Sequence, residues 1–320
     1  MVEVSKRFNF AEIRAAHDRI RPFVHRTPVL TSSRLDETSG ASLFFKCENF
    51  QNVGAFKARG ATNAVFALDD ATAQRGVATH SSGNHGAAVA RAAKLHGIPA
   101  HIVMPSNSAK VKVCAVEGYG AHVVFCEPTE EAREATCAAV IKKTGATLIH
   151  SFENEHVIAG QGTAAVELLE DVPDLDVIMC PVGGGGLLSG TAIAAKSMKP
   201  KIKVIAVEPE NADDAAQSFR AGRRIVTEKK FTAADGLRTN IGEPNFDIVR
   251  RYVDDIVTVS EDGIVSAMRT IWETMKIVIE PSAAVPYAAI QRSKIDIGGK
   301  RVGIILTGGN VDLDALPWNL

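Results

Sequence analysis

The sequence predicts an α/β protein: open, twisted, mostly parallel sheets flanked by helices, with a large domain and a smaller one inserted into it. Three observations carry this. Short β-rich runs alternate with longer helical patterns rich in Ala, Lys, Glu and Leu, the rhythm of right-handed strand–helix–strand crossovers. Apolar runs end in glycine-rich loops, at the carboxyl ends of strands where ligands collect in such folds. The 320 residues exceed one ordinary core, yet no Ser/Pro-rich linker separates two, so a second domain is expected inside the first.

Taken in order, SLFFK (42–46), GVATH (76–80), HIVMP (101–105), HVVFC (122–126), VIMCPV (177–182) and KVIAVEP (203–209) read as strands. GNHGAAVARAAKLHG (83–97) reads as a helix with Asn84 or Gly83 as its cap, stopped by Gly97 and Pro99. SAKVKVCAVEGYGAHVVFC repeats the unit, with Gly118 and Gly120 as breakers. Four such units between about 71 and 150 are expected to form a small sheet of their own, leaving 1–70 and 151–320 for the large domain.

Composition narrows the function. With 46% hydrophobic and 23% charged residues and a net charge of -1, the chain has no general attraction for nucleic acid or anionic lipid. It shows no long apolar leader or membrane span, so a cytoplasmic location is expected. Cys47, Cys114, Cys126, Cys137 and Cys180 are odd in number and form no CxxC pair, which supports neither a disulfide framework nor a zinc ribbon.

Four loops carry candidate chemistry. In PVGGGGLLSG (181–190) four glycines let backbone N–H groups converge before a helix start, a phosphate cradle without the GK[ST] of a nucleotide loop. Alone, the run is equally a flexible turn. ENFQNVGAFKARGATNAV (48–65) puts Lys57 at a loop-to-helix junction, where the helix dipole and burial lower an amine's pKa and favour the neutral nucleophile of a Schiff base. HSSGNHGAAVA (80–90) offers Ser81, Ser82, Asn84 and His85 at another helix start, to grip a carboxylate or ring oxygen or merely to cap. RVGIILTGGN (301–310) ends a strand at Thr307, whose hydroxyl can meet a ring nitrogen or simply close a turn.

In this order, the four loops resemble the fold type II (tryptophan synthase β-like) pyridoxal-phosphate (PLP) enzymes, in the serine/threonine dehydratase and serine racemase branch. The similarity runs from HRTPVLTSSRL (25–35) through ILTGGNVDL (305–313). The resemblance implies PLP in a cleft between the two domains. It also implies an imine on Lys57, Phe56 packed on the ring, Asn84 at the ring 3-hydroxyl, and Thr307 at the pyridine nitrogen. Gly183, Gly184, Gly185, Gly186 and Leu187 would hold the phosphate. A hydroxyl at the ring nitrogen makes a weaker electron sink, which elimination of a β-leaving group tolerates.

The same resemblance implies that Ser81, Ser82, Asn84, His85 and Thr239 receive the substrate. Lys57 and Ser82 would move protons on opposite faces of Cα. VEPENADDAAQSFRAG (207–222) resembles the family's divalent-cation loop, with Glu208, the Ala212 carbonyl and Asp214 as oxygen ligands for Mg2+, Ca2+ or Mn2+.

Two positions depart from the family pattern: GSFK reads Gly54-Ala55-Phe56-Lys57, and Phe152 stands where serine racemase presents a polar group. GAFK resembles the 3-hydroxyaspartate dehydratases, whose second substrate carboxylate Arg133 or Arg238 could pair with, the alternative for each being an ordinary surface role. The implied reaction converts a β-hydroxy amino acid (3-hydroxyaspartate, serine or threonine) to a keto acid and ammonia. Alternatives are a serine or aspartate racemase with side dehydratase activity, and a PLP-binding protein without turnover. SGNHG in place of SGNTG disfavours cysteine-synthase-like replacement. No regulatory domain is expected after ILTGGNVDL, and a homodimer is expected by analogy.

Overall fold

In a computed structural model the chain is described over residues 8–81, 83–108, 110–228 and 231–318. The strands, in chain order, are β1 (Val29–Leu30), β2 (Ser42–Cys47), β3 (Val77–His80), β4 (Ala100–Pro105), β5 (His122–Cys126), β6 (Thr147–Leu148), β7 (Val177–Pro181), β8 (Lys203–Pro209), β9 (Asp255–Val259) and β10 (Arg301–Leu306). They form a six-stranded sheet of order β1-β2-β10-β7-β8-β9 and a four-stranded sheet of order β5-β4-β3-β6. Every neighbouring pair is parallel except β1–β2.

The six predicted runs all appear as strands, as does the C-terminal RVGIIL. β9 was not singled out beforehand: DIVTV is a short edge strand with an exposed start and only two buried positions, so its pattern is weak. The helix after β3 starts at Asn84 with Gly83 as its cap and no capping side chain, and Gly97 closes it at φ 78, a left-handed conformation that suits glycine.

β2, from the beginning of the chain, pairs along its whole length with β10, from the end. All four strands of the small sheet lie between them in sequence, so one sheet interrupts the other. Helices cover both faces of each sheet, as parallel sheets require, although the edge strand β5 of the small sheet has no fully buried residue. The large sheet separates two cores, one built on the helices Glu155–Asp171 and Gly186–Met198, the other on Glu261–Met275 and Pro281–Gln291. β7 therefore reads as uninterrupted apolar sequence, buried at all five positions.

The helix Lys57–Phe66 belongs to neither sheet alone. Ala61, Ala64 and Val65 pack into the small sheet's core, while its other side meets the helix Glu155–Asp171, where a Cβ on Gly160 would lie 2.6 Å from the Arg59 carbonyl. All five cysteines are free, and burial pushes the Cys47 and Cys180 thiols up to about 12, which suits packing rather than nucleophilic attack. Among the described residues no helix is long and apolar enough to cross a membrane.

Candidate active site

Between the two sheets, at the carboxyl ends of β3, β7 and β10, lies a cavity of roughly 540 Å³ that gathers residues from all four predicted loops. Lys57 is the first residue of its helix. The Phe56 N–H donates to the Thr307 carbonyl at 2.9 Å, which ties the lysine loop to the end of β10. The Lys57 side chain keeps some exposure to the cavity, but its amine is enclosed by protein and donates to the Ser151 carbonyl at 3.0 Å. Burial lowers its pKa to about 8, against the opposing pull of Glu280. The amine is 5.1 Å from the centre of the Phe56 ring.

The glycine loop follows β7. Gly185, at φ 92, caps the helix Gly186–Met198 without a side-chain acceptor, leaving first-turn N–H groups for a ligand. The glycines are also needed sterically. A Cβ on Gly184 would collide with the Phe152 ring, one on Gly185 would lie 2.7 Å from the Asn245 Cβ, and one on Gly183 would lie 3.0 Å from the Leu237 Cα. Phe152, the departure noted in sequence, thus closes directly on the glycine floor. Asn245 holds the loop from behind, its side-chain amide donating to the Gly184 and Phe152 carbonyls at 2.8 Å each.

The Thr307 hydroxyl is 3% exposed and has no hydrogen-bond partner among the described residues, although it borders the cavity. An orphaned buried hydroxyl calls for an acceptor or donor from a ligand. Asn84 is oriented from two sides: its amide donates to both oxygens of Glu280 at 3.0 and 3.1 Å, and its carbonyl oxygen accepts from Asn310 at 2.9 Å. Burial, then Asp235, raises the Glu280 carboxyl to about 7. An enclosed amine, a side-chain-free cradle and an unmatched hydroxyl on one cavity fit PLP.

The Ser81 hydroxyl accepts from the Gly83 N–H at 3.2 Å on the cavity wall, and Ser82 lies outside the described residues. His85 borders the cavity but is 2% exposed, its Nε2 bonded to the Ile149 carbonyl at 2.9 Å; burial drives its pKa to about 3, so the ring is neutral. Leu187 and Thr239 also line the cavity.

The two arginines separate. Arg133 lines the cavity together with Lys112, His80 and His150, its Nε donating to the Thr129 carbonyl at the start of its own helix, 3.3 Å away. Arg238 is not among the lining residues. Its guanidinium donates to the Thr232 carbonyl at 2.7 and 3.2 Å and lies over the Phe231 ring, so of the two arginines offered by the sequence it fits the surface reading. Arg224, which no motif marked, lines the cavity instead, anchored by its Nε on the Ile241 carbonyl at 2.7 Å. Glu280 was missed too, because a glutamate before Pro281 looks like an ordinary helix cap.

In the cation-like loop, Glu208 and Asp214 are fully buried and Ala212 is 1% exposed. The Glu208 carboxylate accepts the Ala215 and Ala216 N–H groups at 3.2 and 2.9 Å, and Asp214 accepts the Ile241 N–H at 2.7 Å. The next residue, Gly242, donates to the Gly184 carbonyl at 3.1 Å, so this loop is wired to the glycine floor. Among the described residues no ready-made group of three or more His, Cys, Asp or Glu surrounds a metal position. Carboxylates are nevertheless the kind of oxygen donor a hard cation takes.

Comparison with known proteins identifies the family. Residues 20–308 match the family model described as pyridoxal-phosphate dependent enzyme. The chain is 51% identical to a beta-hydroxyaspartate dehydratase of Paracoccus denitrificans, over 97% of this chain and 98% of that one. It is 50% identical to a serine racemase of Oryza sativa subsp. indica, over 95% of this chain and 91% of the other. Its fold matches the crystal structure of serine racemase from Dictyostelium discoideum with a TM-score of 0.92 and 49% identity, over 96% and 99% of the two chains. With its lysine, glycine floor and orphaned threonine hydroxyl gathered on one cavity, the chain belongs to the family of pyridoxal-phosphate dependent enzymes.

Proposed function

We propose that this protein is a PLP-dependent ammonia-lyase that dehydrates a β-hydroxy amino acid, 3-hydroxyaspartate foremost, to a keto acid and ammonia. The observation that carries the reading is the Lys57 amine, held on the Ser151 carbonyl with its pKa lowered to about 8, on the same cavity as the glycine floor. When bound, the cofactor supplies an electron sink for the negative charge that develops at the substrate Cα. Lys57 holds the cofactor and then takes the Cα proton, which a neutral amine near its own pKa does well. Ser82 is the candidate for proton transfer on the opposite face. Ser81 and the N–H groups at the start of the Asn84–His96 helix hold the α-carboxylate, with the neutral His85 ring as a wall that carries no competing charge.

Arg133 favours a dicarboxylic substrate: a guanidinium without a carboxylate partner among the described residues lines the cavity beside Lys112 and is suited to a second carboxylate. Thr239 and Arg224 bound the same space. Loss of β-hydroxide as water leaves an enamine, whose tautomer is hydrolysed to the keto acid and ammonia. Glu208, the Ala212 carbonyl and Asp214 are proposed to hold Mg2+, Ca2+ or Mn2+. Residues 71–150 are proposed to move as a substrate-binding unit, in a cytoplasmic homodimer. Racemisation of serine or aspartate is the second reading, supported by the high identity to serine racemases.

A substrate panel tests this: serine, threonine and the 3-hydroxyaspartate diastereomers, with keto-acid release and chiral analysis of the remaining amino acid. The expected outcome is keto acid with the highest kcat/KM on a hydroxyaspartate. Arg133→Ala should raise that substrate's KM by about tenfold or more, the loss of a charge-assisted pair, while changing serine far less. Lys57→Ala should abolish both the cofactor's visible absorbance and turnover. Inverted amino acid without keto acid would establish the racemase instead, and a yellow protein silent on every substrate would leave only cofactor binding.

A further inference from the structure

His150 stands on the cavity wall two residues beyond β6, and the reaction proposed above leaves it idle. Its Nδ1 accepts the Glu153 N–H at 3.1 Å. An imidazole nitrogen that accepts a hydrogen bond carries no proton, so the neutral ring holds its hydrogen on Nε2. Burial lowers the ring's pKa against the opposing pull of Glu153, which keeps the ring neutral at physiological pH. Among the described residues no acceptor takes the Nε2–H: the Glu153 carboxylate, at 3.9 Å, lies beyond hydrogen-bond reach. The ring meets Phe152 edge-on at 4.6 Å between centroids, and the side chain, 25% exposed, borders the cavity.

The neighbours of His150 place it along the substrate. On one side the next residue, Ser151, holds the Lys57 amine on its carbonyl at 3.0 Å. On the other, the ring of His80, the last residue of β3, lies 6.0 Å from the His150 ring between centroids. His80 in turn stands near Arg133: burial, then the Arg133 charge, lowers its pKa. Lys57, His150, His80 and Arg133 therefore follow one another along one cavity wall. The amine at one end acts on Cα, and the guanidinium at the other suits the second carboxylate of hydroxyaspartate. The carbon between those two points is Cβ, which bears the hydroxyl that leaves. His85, the other neutral ring on the cavity, has its Nε2–H spent on the Ile149 carbonyl and offers no such donor.

We propose that the His150 Nε2–H donates a hydrogen bond to the β-hydroxyl oxygen of the substrate and stabilises that oxygen as it leaves. This rests on the dehydratase reading and adds to it the residue that recognises the leaving group. In the elimination the Cα–H bond breaks, its proton passes to Lys57, and a Cα–Cβ double bond forms. The Cβ–O bond breaks with its electron pair going to oxygen. Negative charge therefore gathers on the departing oxygen, where a fixed N–H is worth more than on the bound hydroxyl. The proton held on Lys57 completes the hydroxide as water, so the step balances while His150 exchanges no proton.

Initial rates of keto-acid release by the holoenzyme separate this role from a structural one. 3-Hydroxyaspartate and serine must lose hydroxide, whereas β-chloroalanine loses chloride, which departs without a hydrogen-bond donor. His150→Phe keeps an aromatic ring against Phe152 but removes the N–H. It should lower kcat on the hydroxy substrates by about a hundredfold, with KM and β-chloroalanine turnover each within about threefold of wild type. His150→Gln, whose amide again offers an N–H, should recover at least about tenfold of the loss. A second readout is independent of turnover: in nitrogen NMR of resting holoenzyme with isotope-labelled histidine, the ring signal that His150→Phe deletes should belong to an Nε2–H tautomer. An Nδ1–H signal there, equal losses on hydroxy and chloro substrates, or no loss on either would overturn the donor and leave the dehydratase reading standing. A wild type that eliminates chloride but releases no keto acid from any hydroxy amino acid would refute the dehydratase reading, and this proposal with it.

Discussion

Lys57 and Glu280 are two of the ionisable side chains on the cavity. Both are shifted first by burial, in the directions that favour their neutral forms. The Glu280 pKa is raised from 4.5 to about 7, so the folded protein holds its proton more tightly than the unfolded chain does. Its favourable contribution is therefore complete below pH 4.5 and is lost as pH rises through 7. A shift of this size corresponds to roughly 3 kcal/mol. In the cofactor-free protein, Glu280→Gln should flatten the fall in stability between pH 4.5 and 8, measured by urea unfolding at both ends; identical pH slopes in variant and wild type would exclude the effect. Lys57 was legible from its loop-to-helix position. Glu280 was not, because its importance comes from Asn84, 196 residues away in sequence.

At the scale of elements, the helix that starts at Lys57 is held by a buried charge cluster. Arg59 is fully buried and pairs with Glu48 at 2.7 Å and with Glu167 at 2.7 Å, while Lys46 pairs with Glu167 at 2.7 Å and donates to the Thr27 carbonyl. Burial opposes the Arg59 charge, but the two carboxylates overcome it and hold its pKa above the ordinary value. Two cations and two anions balance, and they join β2, the lysine helix and the helix Glu155–Asp171. Arg59→Met should cost about 3 to 5 kcal/mol of unfolding free energy, because Glu48 would lose the cation it pairs with while Glu167 would keep Lys46. Arg59→Lys should recover only part, since a point charge cannot bridge both partners. Denaturant titration measures each. The sequence displayed Arg59 only as a residue near the lysine.

At the scale of the whole molecule, the cavity exists because two sheets meet with their strand carboxyl ends facing one another. The acidic loop after β8 is linked to that meeting place through Asp214, Ile241 and Gly242 to the Gly184 carbonyl. A cation on Glu208, Ala212 and Asp214 should therefore support the glycine floor as well as its own loop. Chelation with EDTA should lower the melting temperature and weaken cofactor retention, and added Mg2+ should restore both. Indifference of both readouts would remove the cation from the account.

The sequence alone determined the alternation of strands and helices, the glycine loops, and the lysine at a helix start. These depend on short-range periodicity and backbone freedom, which act within a few residues. Only the tertiary structure decided that β2 pairs with β10 and that Arg133 and Arg224 rather than Arg238 line the cavity. Long side chains and sheet neighbours are selected by contacts through space, and residues of identical local pattern differ only in what the folded chain places opposite them.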